Sequence, residues 1–501
     1  MLDIDHFAFQ SLLFLSSLFI FVIGSVALWI VIAFIRDITQ TEQAVRRNYP
    51  VIGRFRYLFE RLGEFFRQYF FAMDREELPF NRAQRSWVYR AAKNMDNTVA
   101  FGSTRDLTIP GTVLFVNCPF PTLRVDAVDP GPVTIGEGHA SSPYTTSSLY
   151  NISGMSFGAI SIPAVRALSM GAARAGCWMN TGEGGLTPYH LEGGCDIVFQ
   201  IGTAKNGVRD LDGNLSDEKL RQAANHHVVK MFEIKLSQGA KPGKGGVVPA
   251  EKVTAEIAAI RGIPPGEDAI SPNRHPDIRS NRDLLNMIHR IREVTGKPTG
   301  FKAVISGDGW LNELFTEIGT MGLEFAPDFI TVDGADGGTG AAPMPLIDDM
   351  GLPLRESLPM LVDHLNLHGL RDRVKVIASG KLVTPADVAW ALCVGADFIT
   401  SARGFMFSLG CIQALQCNKN TCPTGITTHN PKLQQGLHPE TKKVRVADYV
   451  NNMVTEVGII AHSCGVRSAR GLRRHHARVV QDNGLSLPLD KLHPPITRST
   501  T

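Results

Sequence analysis

Several signatures of well-defined function classes are missing from these 501 residues. There is no Walker lysine motif, and no G-x-G-x-x-G follows a strand and opens a helix, which removes the commonest nucleotide- and dinucleotide-binding readings. Charge of one sign is not in excess. The formal net charge is +3, so the global balance points to neither nucleic acid nor an acidic partner. Cysteine is sparse, and five of the eight (Cys118, Cys177, Cys195, Cys393, Cys464) are scattered without regular spacing. That excludes a small disulfide scaffold and fits a reducing compartment. What remains is a chain with 44% hydrophobic and 20% charged residues, ordinary for a protein with a large core.

A long hydrophobic run is present. From Phe7 to Ile35 no residue is charged, and a bilayer core of about 30 Å needs only roughly 20 helical residues. The run is longer than that of a signal peptide and begins acidic, with Asp3 and Asp5. Residues 1–36 are therefore expected to be a retained transmembrane helix. Arg36, Arg46, Arg47, Arg54, Arg56 and Arg61 follow it. The positive-inside rule then makes this a single-pass protein of the cell membrane with its bulk in the cytoplasm. Tyr57 to Phe71 interleaves aromatics with Arg61 and Arg67. It reads equally well as an amphipathic helix on the membrane surface or as a helix packed on the folded domain. Residues 37–109 are read as a juxtamembrane linking region and 471–501 as a basic tail, which leaves 110–470 for the main domain.

That main domain alternates short apolar strands with helical patterns. The stretches 301–305, 328–332, 374–378 and 397–401 each run into a glycine or serine loop, and helices are expected at 280–294 and 385–394. Such repeats imply an α/β fold with a parallel sheet covered by helices, either closed as a barrel or open and doubly wound. The unit 374–404 favours a (β/α)8 TIM-type barrel. Thr384 is placed to cap a helix with Pro385 in its first turn and Asp387 on its dipole. Two consecutive strand ends carry the loops Ser379-Gly380-Lys381 and Ala402-Arg403-Gly404, where barrels of this type bind phosphate. Further glycine-rich loops follow other strands, among them 182–185, 238–246 and 333–340. Glycine lets backbone approach a flat aromatic cofactor closely.

The remaining three cysteines, Cys411, Cys417 and Cys422, have C-x5-C-x4-C spacing with Pro423 directly after the last. Three thiolates are one short for a four-iron cube but sufficient for a 3Fe–4S cluster. Structural zinc prefers four ligands and C-x2-C pairs.

At this point the residues resemble a known family. The runs GEGG, KLSQGAKPGKGG, ISPNRHPDIRS, DGADGGTGAAP and GCIQALQCNKNTCPTG are together similar to the FMN-binding domain of glutamate synthase, over about residues 110–470. The layout resembles stand-alone, membrane-anchored relatives of that enzyme. The resemblance implies FMN at the mouth of a barrel, a 3Fe–4S cluster on Cys411, Cys417 and Cys422, and hydride transfer to an imine carbon in 2-oxoglutarate-like chemistry. It places Met155, Ser156, Gln238 and Lys302 around the flavin, with Ser379, Gly380 and Gly404 at its phosphate. It pairs Lys241 and Arg261 with substrate carboxylates and puts Glu183, with Lys241, at the reacting centre.

The chain departs from the family pattern in two places. The family's paired-histidine stretch reads Pro272-Asn273-Arg274-His275-Pro276, and its two-glycine phosphate loop reads Ser379-Gly380-Lys381. The chain opens Met1-Leu2 and runs into the hydrophobic segment, so no glutaminase domain is expected, and none for NADPH. The amine is then expected from solution or a partner, and electrons from ferredoxin or a similar protein. Two other readings stand beside this one. One is an FMN-dependent amine or 2-hydroxy-acid dehydrogenase feeding membrane electron carriers; the other is a non-catalytic redox relay.

Overall fold

The computed structural model describes residues 2–494, apart from the side chains of residues 2–5, 64 and 65. The chain divides into two compact units, Met1–Ala83 and Gln84–Thr501. In the first unit, α1 (Leu2–Thr39) is one unbroken helix. Its His6–Thr39 portion is long and apolar enough to cross a bilayer, and only 6% of its most apolar window is buried. The next long helix, α2 (Gly53–Phe66), is continued by a π turn at Arg67–Phe71. Asp37, in the last turn of α1, is 1% exposed and accepts hydrogen bonds from Arg54 Nε (2.8 Å) and the Val51 N–H (2.9 Å).

The second unit is built on eight parallel strands. They are β1 (Tyr150–Ile152), β2 (Met179–Asn180), β3 (Ile197–Ile201), β4 (Val229–Lys235), β5 (Thr299–Ala303), β6 (Phe329–Asp333), β7 (Lys375–Ser379) and β8 (Phe398–Ser401). They close in sequence order, with β8 pairing β1 and β4 pairing β5. The barrel is therefore closed, and the open-sheet alternative falls away. Helices alternate with the strands, including α3 (Ile162–Ala175), α4 (Ala255–Arg261), α5 (Asn281–Thr295), α6 (Asp308–Met321), α7 (Leu354–Leu367), α8 (Pro385–Val394), α9 (Arg403–Leu409) and α10 (Pro439–Ser463). The start of α8 follows its sequence: Asp387 reaches back to accept from the Thr384 hydroxyl (2.6 Å) and N–H (3.2 Å).

Along each strand, inward-facing residues change from apolar to polar. The floor is a packed cluster of Trp178, Val198, Met231, Phe329, Ile377 and Phe398, closed from outside the ladder by Ile135 and Tyr144 of an antiparallel hairpin. Two residues further along the same strands stand Gln200, Glu233, Thr331, Ser379 and Thr400, as the two-residue period of a strand requires. The core therefore sits at the strand starts and the polar groups at the strand ends, the end where barrels of this kind carry their sites.

Residues 474–494 of the stretch read as a basic tail are folded. Ala477–Val480 pairs with Val113–Phe115 and Ser486–Pro488. Arg474 is buried and doubly bonded to Asp363, at 2.7 and 3.1 Å. Residues 495–501 lie outside the described residues.

Candidate active site at the barrel mouth

A cleft of about 990 Å³, its open mouth included, lies over the strand ends. Its lining brings together Met155, Ser156, Glu183, Gln238, Lys241 and Arg261, which come from three glycine-rich loops and one helix that lie apart in the sequence. The loops after β7 and β8 contribute differently from expectation. Ala402 and Arg403 line the cleft, whereas Ser379, Gly380 and Gly404 are not in its wall. Gly380 sits at φ +131°, a conformation that favours glycine, at the turn out of β7. Gly404 is a packing requirement. A Cβ there would overlap the hydroxyl of Tyr449, and its N–H already donates to Ser401 Oγ at 3.2 Å.

Glu183 is the electrostatic centre of the cleft. Its Oε1 lies 3.0 Å from Lys235 Nζ, and both side chains are almost fully buried, at 12% and 11% exposed. Burial pushes the Glu183 carboxyl up, but Lys235, Lys241 and Arg261 outweigh it and hold the group below its usual range. Room for the carboxylate comes from Gly246, where any side chain would collide with it. Lys235 also donates to Gln238 Oε1 (2.6 Å), and Gln238 Nε2 donates to Thr339 Oγ1 (3.1 Å), so one chain of bonds crosses the mouth.

Two further cations face this carboxylate. Burial, reinforced by Lys235, lowers the Lys241 amine to about 8, with Glu183 opposing. Arg261, at the end of α4, is 4% exposed. It donates from Nη2 to the Phe157 carbonyl at 2.8 Å, and its buried Nε has no partner. A guanidinium N–H buried without an acceptor is costly unless a ligand supplies one.

Below the cleft is a second polar layer. Glu233 accepts from Asn180 (2.8 Å) and Gln200 (2.7 Å) at one oxygen and from Thr331 (2.6 Å) at the other. Lys302 belongs here rather than in the cleft wall, with its Nζ 3.0 Å from Asp333 Oδ2. His275 packs under Lys235, bonded through Nε2 to the Lys235 carbonyl at 3.0 Å. Burial drives its imidazole down to about 4, so it is neutral, donates from Nε2 and leaves Nδ1 without a partner.

The cysteine segment borders the same cleft. Cys417 lines it, and Arg403 Nη1 points at Cys417 Sγ from 3.7 Å. Arg403 also donates to the Thr339 carbonyl, which ties the β8 loop to the β6 loop. Lys252, also in the cleft wall, holds the segment by donating to the carbonyls of Cys417 (2.7 Å) and Thr427 (2.6 Å). Burial raises the Cys411 thiol; the Gln413 N–H and Arg403 oppose this, while the fields of Cys417 and Cys422 add to it. Burial also pushes Cys422 up, but bonds from Thr424 and Thr427 outweigh it and leave that thiol below its usual value. The three sulfurs thus share one electrostatic neighbourhood. Among the described residues no three His, Cys, Asp or Glu side chains converge on a single metal ion.

Residues 123–467 match the conserved region of glutamate synthase. The chain belongs to the glutamate synthase family. It is 39% identical to the glutamate synthase large subunit-like protein YerD of Bacillus subtilis, over 95% of this chain and 98% of that one. It is 34% identical to the archaeal glutamate synthase (NADPH) of Methanocaldococcus jannaschii over 66% of this chain, and spans about three-fifths, 61%, of that protein. The glutamate synthase (NADPH) large chain of Bacillus subtilis is 36% identical over 56% of this chain, which amounts to 18% of its own length. Membership makes the chain, by class, an oxidoreductase acting on CH–NH2 groups.

Within the family site, sequence reasoning missed Lys235, Glu233 and Lys252. The first two sit at alternate positions of β4, where polar residues at period two inside a hydrophobic strand mark the lining of a barrel mouth. Lys252 stands outside every motif, and nothing in its spacing points to the cysteine loop.

Proposed function

We propose that this chain is a glutamate synthase-type oxidoreductase that uses FMN and a 3Fe–4S cluster to interconvert a 2-oxo dicarboxylate, through its imine, and the matching amino acid. The observation that carries the reading is the charge arrangement at Glu183: three cations (Lys235, Lys241, Arg261) face one carboxylate, a surplus of two positive charges. A dicarboxylate dianion complements that surplus, and the unpaired Arg261 Nε offers it a charge-assisted bond.

The residues present fit FMN. At Gly154 a Cβ would meet Asn180 Oδ1 at 2.8 Å and Gln200 Nε2 at 2.9 Å, so bare backbone forms that part of the cleft. Met155, Ser156 and Gln238, all in the cleft wall, would hold the ring, and Arg403 with the Gly338–Gly340 loop would hold the phosphate. When bound, FMN supplies both hydride transfer and one-electron exchange. The chain's own groups do the rest. Arg261 and Lys241 grip and orient carboxylates, Glu183 keeps the cations fixed, and Lys241 Nζ holds a proton below about pH 8 that it can return to the substrate nitrogen. Cys411, Cys417 and Cys422 would hold the cluster, with Cys417 in the wall of the same cleft, and ferredoxin or a similar donor would supply the electrons. The α1 helix would anchor the enzyme in the cell membrane with the barrel unit in the cytoplasm.

That helix also favours a second reading, oxidation of an amine or 2-hydroxy acid with electrons passed to carriers in the bilayer. Anaerobic turnover separates the two. With reduced ferredoxin, 2-oxoglutarate and ammonia, the first reading predicts glutamate at more than stoichiometric yield. No glutamate, together with quinone reduction by one of a panel of amines or 2-hydroxy acids, would replace it with the second.

A further inference from the structure

We propose that Gly53–Phe71 is a second membrane contact, lying flat in the headgroup region of a bilayer that carries acidic phospholipids; this rests on α1 spanning that bilayer. The helix is two-faced. Phe55, Phe59 and Leu62 recur at helical spacing and, with Leu58, are 51%, 65%, 37% and 48% exposed. Phe70 and Phe71 carry the row through the π turn at 67% and 74% exposed. A contiguous apolar row of this size facing outward marks an interaction surface rather than ordinary scatter.

The charge of the segment selects the partner. Residues 44–67 hold six arginines (46, 47, 54, 56, 61 and 67) against two glutamates (60 and 64). Arg56, Glu60 and Arg61 fall on the side of α2 away from Phe55 and Phe59, as the 100° step of a helix dictates. A cationic face opposite an aromatic one matches an acidic lipid surface, where rings enter the acyl boundary and arginines stay with phosphates.

The Asp37 carboxylate at the end of α1 accepts from Arg54 Nε and Nη2, each at 2.8 Å, and from the Val51 N–H at 2.9 Å. Arg54 Nη2 also reaches the Ala33 carbonyl at 3.4 Å, and the guanidinium stands over Trp29 at 6.0 Å. These bonds fix the first turn of α2 to the last turns of the spanning helix. A helix held there begins at the depth where headgroups meet acyl chains, with its apolar row free to sink.

The test is photolabelling of the full chain in liposomes that contain an acidic phospholipid and a phospholipid with a diazirine high in its acyl chain, with adducts mapped by peptide mass spectrometry. Adducts are expected on α1 and on Phe55, Phe59 and Leu62, with Arg56 and Glu60 unmodified. Arg56→Glu combined with Arg61→Glu should lower the α2 adducts by at least about fivefold, the value of one basic residue at an acidic surface, and leave α1 labelling unchanged. Labelled α1 with an unlabelled 55–62 face, as when protein covers it, overturns the proposal. A chain unlabelled on α1 as well would overturn the spanning helix itself, which is a separate failure.

Discussion

Glu183 and Lys235 are a buried pair, and single substitutions should expose how much each cation depends on the carboxylate. Replacing Glu183 by Gln leaves the Lys235 ammonium, 11% exposed, without its counter-charge. Such a break costs about 3 kcal/mol, and calorimetry should record a lower Tm even without substrate. Arg261 makes a more selective prediction. Arg261→Gln removes a charge-assisted bond worth about 1.5–3 kcal/mol, so KM for a dicarboxylate should rise roughly 10- to 100-fold. KM for a monocarboxylate analogue should move much less. Lys241 adds a pH dependence. Its pKa is depressed to about 8 from a usual value of 10.5, so its cation is present below pH 8 and is lost as pH rises through it. KM should therefore climb above pH 8, and Lys241→Arg should flatten that climb. The sign for stability is opposite: burying the charged amine costs most below pH 8, and that cost is relieved between 8 and 10.5. These residues were unevenly legible. Glu183 and Lys241 stand in glycine-rich runs that announce a site, whereas Arg261, in the last turn of a short helix, reads equally well as solvent-exposed. Its burial against the Phe157 carbonyl and Gly158, distant in sequence, appears only in the fold.

The β7 and β8 loops show what local pattern conveys and what it hides. The strand, the capped helix and the next strand of 374–404 were readable because each boundary carries its own chemical mark, as with Thr384 and Asp387. The role of Gly404 was not readable, because it depends on Tyr150 and Tyr449, whose hydroxyls lie 2.7 Å apart and come from β1 and α10. Gly404→Ala should destabilise the unit by about 1–3 kcal/mol through overpacking, and Tyr449→Phe in the same chain should recover part of that loss. Recovery of none would mean that the glycine serves the phosphate instead. The 301–305 reading missed by two residues for a simple reason. Val304 and Ile305 are apolar and buried, yet they lie beyond the ladder that ends at Ala303. In the cysteine segment, Cys417→Ser should remove iron–sulfur absorbance and spare most flavin, since Lys252 anchors the loop through carbonyls rather than sulfur.

At the scale of the whole molecule, the chain joins a helical unit fit for a bilayer to a barrel with its own core. Deleting residues 1–72 removes α1, α2 and the π turn while leaving every barrel strand, and should give a detergent-free, monodisperse protein that still binds flavin. Aggregated protein without flavin would show that the barrel unit depends on the first. Fold class was legible because strand–loop–helix repeats are local. The polar mouth was less so, because Glu233, Lys235 and Lys302 meet only when the eight strands close. Whether the barrel mouth and the cysteine loop form one redox centre is tested most directly by low-temperature EPR of the anaerobically purified, oxidised chain. A three-iron signal from protein that also releases FMN is the predicted result. A silent spectrum from metal-free protein would contradict it.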